Sequence, residues 1–244
     1  MSDLVTLQQL LQELRLKGME SSLEPILEKA EKQGLSLRES LYNLLVEERK
    51  QRQERSLHYR IKQARLPFEW TLESFPFHLQ PSIDKSRVMS LAGLEFMERG
   101  DNIVLIGEPG RGKTGLGIGL MRKALIQGYR ARFYKAQDLL DELYASLADR
   151  STSRLLKRLC NFDLLQIDEL GYLTLHQEQM NMFFKLMDER YTKGKSTIIT
   201  TNLSFENWYE ILGPKNMVDA LLDRLEHRCV TITIQGESLR RSIS

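Results

Sequence analysis

The chain has 244 residues, with 35 Lys and Arg against 33 Asp and Glu, a formal net charge of +2 and 41% apolar residues. This is a globular composition with material for one sizeable core and a small accessory domain. Its apolar runs are too short to span a membrane and its first residues carry no secretory signal, so a cytoplasmic protein is expected. Cys160 and Cys229 form no C-x-x-C pair and read as reduced, buried thiols, while His58, His78, His176 and His227 lack ligand spacing, so no zinc is expected.

The first sixty-odd residues read as helices. Leu4, Leu7, Leu10, Leu11 and Leu14 recur at helical spacing, Gly18 interrupts, and a second helix runs from about Glu20 to Gln33 before Gly34. Ser36-Leu37-Arg38-Glu39 is a capping box that opens a third helix, with Leu37, Leu41, Leu44 and Leu45 on one face. That helix is expected to end near Leu66-Pro67, because proline pushes its predecessor out of helical geometry. Charge divides sharply along it: residues 1–48 have a net charge of −4, whereas Arg49 to Leu66 hold Arg49, Lys50, Arg52, Arg55, Arg60, Lys62 and Arg65 against Glu54 alone. Such a run is either a solvated helix face or a surface that tracks nucleic-acid phosphates, and its density, with Tyr59 inside it, favours the latter. It has no base-reading signature, so backbone contacts with strong salt dependence are expected.

Pro67, Pro76 and Pro81 with Phe68, Trp70, Phe75 and Phe77 mark residues 67–84 as a linker that packs aromatics. It either closes over a bound base or packs plainly on the core. From Lys85 helix and strand alternate: helix 85–99, strand 103–106, helix 113–127, strand 131–134, helices 136–148 and 151–160, strand 163–167, helix 176–193 and strand 196–201. This order predicts an α/β domain over 85–244, with a parallel sheet covered by helices on both faces.

Gly107-Glu108-Pro109-Gly110-Arg111-Gly112-Lys113-Thr114 fits the phosphate-loop pattern G-x-x-x-x-G-K-[ST], directly after an apolar strand and before a helix continuing through Gly115. In such a loop backbone N–H groups surround phosphate oxygens, Lys113 reaches the β- and γ-phosphates, and the Thr114 hydroxyl meets Mg²⁺. A second motif, acidic, ends the strand at Ile167-Asp168-Glu169, where Asp168 suits a metal and Glu169 a water molecule. Gln166 is an unexpected polar residue in that strand, facing an edge or reaching a neighbour. Asn202 follows the last β-branched strand, either as a cap or as a γ-phosphate contact. Gly115, Gly117 and Gly119 each cost a helix about 1 kcal/mol against alanine, and nothing in the sequence says what offsets it. No N-K-x-D tetrapeptide reads guanine, which favours ATP over GTP.

With Leu14–Met19, Ala64–Pro67, the phosphate loop, Leu164–Leu173, Arg190-Tyr191, Thr200–Asn202, Phe205–Trp208, Asp223–His227 and Gly236–Arg240, the chain resembles the IstB-like transposition helper ATPases. These are related to DnaC-type helicase loaders within the AAA+ superfamily. The resemblance implies an AAA+ P-loop NTPase core without a C-terminal lid, preceded by a helical DNA-binding and oligomerisation domain at 1–66. It implies Lys113, Glu169, Asn202, Arg224 and Arg240 as catalytic residues, with Arg224 an arginine finger for a neighbouring subunit and Arg240 a second sensor. It also implies ATP, Mg²⁺, a homo-oligomer with ATP sites at its interfaces, double-stranded DNA and a transposase. Arg150, Arg154, Lys157 and Arg158 resemble the extra helical insertion of initiator-type members, a second candidate DNA surface. Arg111, Gly115, Gly117 and Leu239 depart from the usual pattern. The alternatives are a DnaC-like helicase loader and, from another class, a small-molecule phosphotransferase.

Overall fold

The computed structural model of the chain describes residues 2–171, 176–213 and 215–240. Two compact units divide at Tyr59 and Arg60, within the third helix.

The first unit contains α1 (Ser2–Glu13), α2 (Lys17–Gln33) and most of α3 (Leu37–Ala64). The capping box forms as expected: the Glu39 carboxylate accepts from Ser36 N–H at 2.8 Å, and Ser36 Oγ accepts from Glu39 N–H at 3.3 Å. The small core takes Met19, Leu23 and Ile26 from α2 but only Leu11 from α1 and Leu44 from α3. The remaining leucines of both expected stripes are exposed, Leu37 by 87%. A buried carboxylate fastens the unit: Glu48 Oε2 accepts from Gly18 N–H (2.6 Å) and Met19 N–H (3.2 Å), and Oε1 accepts from Arg52 Nε at 2.5 Å. Glu48 thereby caps the start of α2 from α3. Gly18 is required there because a Cβ would lie 2.5 Å from Glu48 Cα.

In the second unit, β1 (Asn102–Ile106), β2 (Ala131–Lys135), β3 (Leu164–Asp168), β4 (Ser196–Thr201) and β5 (Cys229–Thr233) form one parallel sheet in the order β2-β3-β4-β1-β5. The strand of the acidic motif is thus separated from the strand of the phosphate loop by β4. Its crossovers are α6 (Lys113–Ile126), α7 (Ala136–Ala148), α8 (Thr152–Cys160) and α9 (Gln177–Thr192), each within two residues of its expected bounds. The expected helix 85–99 is instead two, α4 (Lys85–Leu91) and α5 (Glu95–Arg99). Leu94 breaks it, adopting a left-handed conformation (φ 68°) that buries its side chain.

Beyond β4 the chain adds α10 (Trp208–Leu212), α11 (Lys215–His227) and β5. Trp208 is fully buried against Phe205, with ring centroids 5.2 Å apart, so the F-x-x-W run is a packing motif. Arg190 of α9 is also buried and donates to Thr197 Oγ1 and to the carbonyls of Leu159, Phe162 and Ser196. It ties the end of α8 and the start of β4 together, and burial pulls its pKa down to about 10. Cys160 is buried as expected, but Cys229 is only partly so. Among the described residues no helix is long and apolar enough to cross a membrane.

Candidate functional site

The phosphate loop leaves the C-terminal end of β1 and turns into α6 through Gly110 and Gly112, both at positive φ (79° and 89°). At the start of the loop, Gly107 admits no side chain, since a Cβ would lie 2.5 Å from the Ile234 carbonyl. Gly112 is the N-cap of α6 and brings no side chain to the first-turn amides, which leaves them for an anion. Lys113 is buried at the mouth of α6 and donates to the Gly107 and Glu108 carbonyls at 2.6 and 2.9 Å. Burial pushes its pKa down, Asp168 and Glu169 oppose this, and the charges of Arg240 and Arg111 push the same way as burial. Arg111 pairs with Glu108 at 2.7 Å.

The acidic motif is wired to this loop by hydroxyls. Asp168 Oδ2 accepts from Thr114 Oγ1 at 3.1 Å, and Asp168 Oδ1 accepts from Thr200 Oγ1 at 2.7 Å. The same Thr200 oxygen accepts from Glu169 N–H at 2.9 Å. Glu169 is exposed to the cleft and held at φ 63°, a strained conformation for a non-glycine residue. Burial raises the pKa of Asp168, the two threonine hydrogen bonds work against it, and Glu169's charge adds to it. Asn202 lines the same cleft, its buried Oδ1 without a hydrogen-bond partner among the described residues. Tyr172 and Leu173, the end of the acidic motif run, lie outside the described residues.

Two further segments complete a cleft of about 740 Å³. One wall is the aromatic segment: Pro67, Phe68 and Trp70 face the cleft, while Leu72 and Phe75 are buried beneath. This segment also explains the glycines of α6. A Cβ at Gly115 would enter the Trp70 ring, one at Gly117 would lie 2.7 Å from the Gln166 amide, and one at Gly119 2.6 Å from Leu72. The helix gives up propensity so that the strap and β3 pack directly on its backbone. Gln166 does reach a neighbour, its amide 3.4 Å from the Thr114 carbonyl. Leu239 and Arg240 also line the cleft, and Leu239 N–H donates to the Gly110 carbonyl at 2.8 Å.

Arg224 lies apart from this cleft. On α11 it pairs with Asp188 at 3.0 Å and donates to the Ala220 carbonyl, beside a groove lined by Phe184, Lys185 and Leu221. The basic residues fall in both units. In the first, Arg52 and Arg55 pair with Glu48, whereas Arg49 and Lys50 are exposed. In the second, Arg60 donates to the Leu125 carbonyl at 3.0 Å, and Lys62 and Arg65 are exposed. Arg154 and Lys157 lie on the outward side of α8, Arg158 beside them pairs with Glu142, and Arg150 is exposed in the turn before the helix. Thr200, which joins both carboxylate residues, was visible in sequence only as part of the Thr-Thr-Asn run, without a role.

A parallel five-stranded sheet with a phosphate loop after β1 and an acidic pair after β3 defines an AAA+ P-loop nucleotide-binding core. The chain belongs to the family of IstB-like ATP binding proteins, whose family model matches residues 9–244. It is 41% identical to a protein of insertion sequence IS21 from Pseudomonas aeruginosa, named as an ATP-binding protein, over 96% of this chain and 88% of that one. A like-named protein of insertion sequence IS5376 from Geobacillus stearothermophilus is 35% identical over 93% and 90% of the two chains. Among solved structures, the DnaC helicase loader is similar with a TM-score of 0.54 and 25% identity, covering 62% of this chain and 88% of that one.

Proposed function

We propose that this protein is an ATP-hydrolysing transposition helper that assembles as a homo-oligomer on duplex DNA, remodels it and delivers it to a transposase. The observation that carries the enzymatic part is the hydroxyl wiring that joins Thr114, Asp168, Thr200 and Glu169 into one rigid group beside the phosphate loop. The insertion-sequence origin of the relatives supports the transposition part.

In this reading Gly107, Glu108, Pro109, Gly110, Arg111, Gly112 and Gly115 surround the phosphates, and Lys113 exchanges the loop carbonyls for the β- and γ-phosphate oxygens. Thr114 and Asp168 fit Mg²⁺: they offer only oxygen donors, and Asp168 is a carboxylate buried at the cleft beside the charge of Glu169. The ion would neutralise charge that develops on the phosphates. Glu169 orients a water molecule for in-line attack and accepts its proton, and Asn202 and Arg240 contact the γ-phosphate. Arg224, outside its own chain's cleft, completes the site of a neighbouring subunit. DNA phosphates meet Arg49, Lys50, Arg52, Arg55, Arg60, Lys62 and Arg65, with Arg150, Arg154, Lys157 and Arg158 as a second surface. The helical domain at 1–66, the linker at 67–84 and the ATPase domain at 85–244 divide these tasks.

Sedimentation with duplex DNA tests this. Oligomers are expected only when DNA and a non-hydrolysable ATP analogue are both present, and Arg224→Ala should weaken them. A monomer under all these conditions contradicts it. The likeness to the DnaC loader favours a second reading, a helicase loader, for which single-stranded DNA would support assembly better than duplex.

A further inference from the structure

Arg240 reaches the cleft from residues 234–240, which follow β5 with no regular secondary structure of their own. Such a segment cannot hold a long cationic side chain in place unless its backbone is fixed from outside. It is fixed at every second residue. Gln235 N–H donates to Ser82 Oγ and the Ser82 hydroxyl donates back to the Gln235 carbonyl, both at 2.7 Å. The Glu237 carbonyl accepts from Gln80 Nε2 at 2.7 Å. Leu239 N–H donates to Gly110 of the phosphate loop at 2.8 Å. Between these bonds Gly236 lies so close to the strap that a Cβ would be 3.0 Å from the Leu79 carbonyl and closer still to the Gln80 amide.

Gln80 is fully buried, and its Oε1 has no hydrogen-bond partner among the described residues. An apolar side chain would fill that space without leaving a desolvated oxygen unpaired, so packing alone does not account for a glutamine. The bond from Nε2 to Glu237 does.

We infer that Gln80, assisted by Ser82, is a positioning residue for Arg240: it clasps the aromatic strap to the Gln235–Arg240 segment and so fixes the arginine beside the phosphate loop. Gln80 and Ser82 are not among the residues that line the cleft. Their effect is therefore confined to what Arg240 distinguishes, the presence of a γ-phosphate. The inference rests on the ATP reading above.

The test is equilibrium binding of a fluorescent non-hydrolysable ATP analogue and of fluorescent ADP to the full chain. Arg240→Ala and Gln80→Leu should each lower the preference for the ATP analogue over ADP roughly tenfold, with ADP affinity changing by less than about threefold. The double variant should be no worse than Arg240→Ala alone, because both changes remove one interaction. Ser82→Ala, at an exposed position, should shift the preference in the same direction by less and keeps the inference testable if Gln80→Leu fails to fold. Preference retained in Gln80→Leu or, where that variant does not fold, in Ser82→Ala overturns the inference, as does an unaffected Arg240→Ala or a double variant whose losses multiply. If the unsubstituted chain binds neither nucleotide, the ATP reading itself falls and takes this inference with it.

Discussion

The Thr200 hydroxyl donates to Asp168 Oδ1 at 2.7 Å while its oxygen accepts from the Glu169 N–H at 2.9 Å, so one side chain from β4 sets the geometry of both acidic residues at the end of β3. Glu169 has left-handed backbone geometry, and the bond from its own N–H, together with that from Leu170 N–H to the Thr200 carbonyl at 2.9 Å, opposes relaxation of that turn.

Thr200→Val keeps the β-branched shape and removes both bonds. Steady-state ATP hydrolysis should fall roughly 10- to 100-fold through misplacement of Glu169, with nucleotide affinity changed little. Thr200→Ser should retain most of the activity. Equal rates in the Val and Ser variants would show that the hydroxyl does not position the pair.

Trp70 packs against Gly115 and lines the cleft, whereas Trp208, the second tryptophan of the chain, is fully buried in the core. Intrinsic fluorescence should therefore change on adding ADP, and the change should survive Trp208→Phe and vanish in Trp70→Phe. Gly115→Ala should displace the ring and weaken nucleotide binding roughly tenfold. A nucleotide-induced signal that persists in Trp70→Phe would remove the strap from the site.

Burial alone would raise the Glu48 pKa, but hydrogen bonds from Arg52 and from the Met19 and Gly18 amides outweigh it and leave the folded value below the ordinary 4.5. A carboxylate depressed on folding contributes stability in full above its unfolded pKa and loses it as pH falls through the folded value. Hydrogen exchange of the Gly18 and Met19 amides should accelerate in that acid range, relative to the intrinsic rate. Glu48→Ala should accelerate it already at pH 7, by an amount matching about 1–2 kcal/mol for a lost helix cap. Unchanged protection in that variant would show that the carboxylate caps nothing.

Much of this was legible in sequence because the informative patterns are local. The phosphate loop is a contiguous octapeptide, strands β1, β3 and β4 are short, mainly β-branched or aliphatic runs, and β2 is marked by Phe133-Tyr134 between two helical segments. β5 was not anticipated, although Cys229-Val-Thr-Ile-Thr is β-branched at four of its five positions, because it follows a helix with no turn residue between. The break at Leu94 was invisible because nothing local asks leucine for positive φ; burial of its side chain does. The glycines of α6 had no account in one dimension, since their partners Trp70, Leu72 and Gln166 are supplied by segments remote in sequence. Thr200 and Gln80 escaped notice for the same reason. Their roles exist only across strands or between segments more than 150 residues apart.

Arg52 and Arg55 share Glu48, so neutralising them would disturb the fold of the first unit along with any DNA contact. Arg49 and Lys50 make no ion pair among the described residues and are the cleaner probe. Changing both to Gln should weaken duplex binding similarly on unrelated sequences. It should also make the log–log salt dependence shallower by up to about two units, roughly 0.9 per lost phosphate contact. Basal ATP hydrolysis without DNA should not move. Unchanged affinity and slope would turn this face into a solvated one and shift attention to Arg154 and Lys157.

The central claim, that Glu169 activates water for ATP hydrolysis in this cleft, is tested most directly by phosphate release from Mg·ATP with duplex DNA present, comparing the unsubstituted chain with Glu169→Gln. The amide keeps the size and removes the base, so nucleotide binding should persist while turnover drops at least about 100-fold and oligomers remain trapped on DNA. Turnover at the unsubstituted rate in Glu169→Gln, with nucleotide binding intact, would contradict the account.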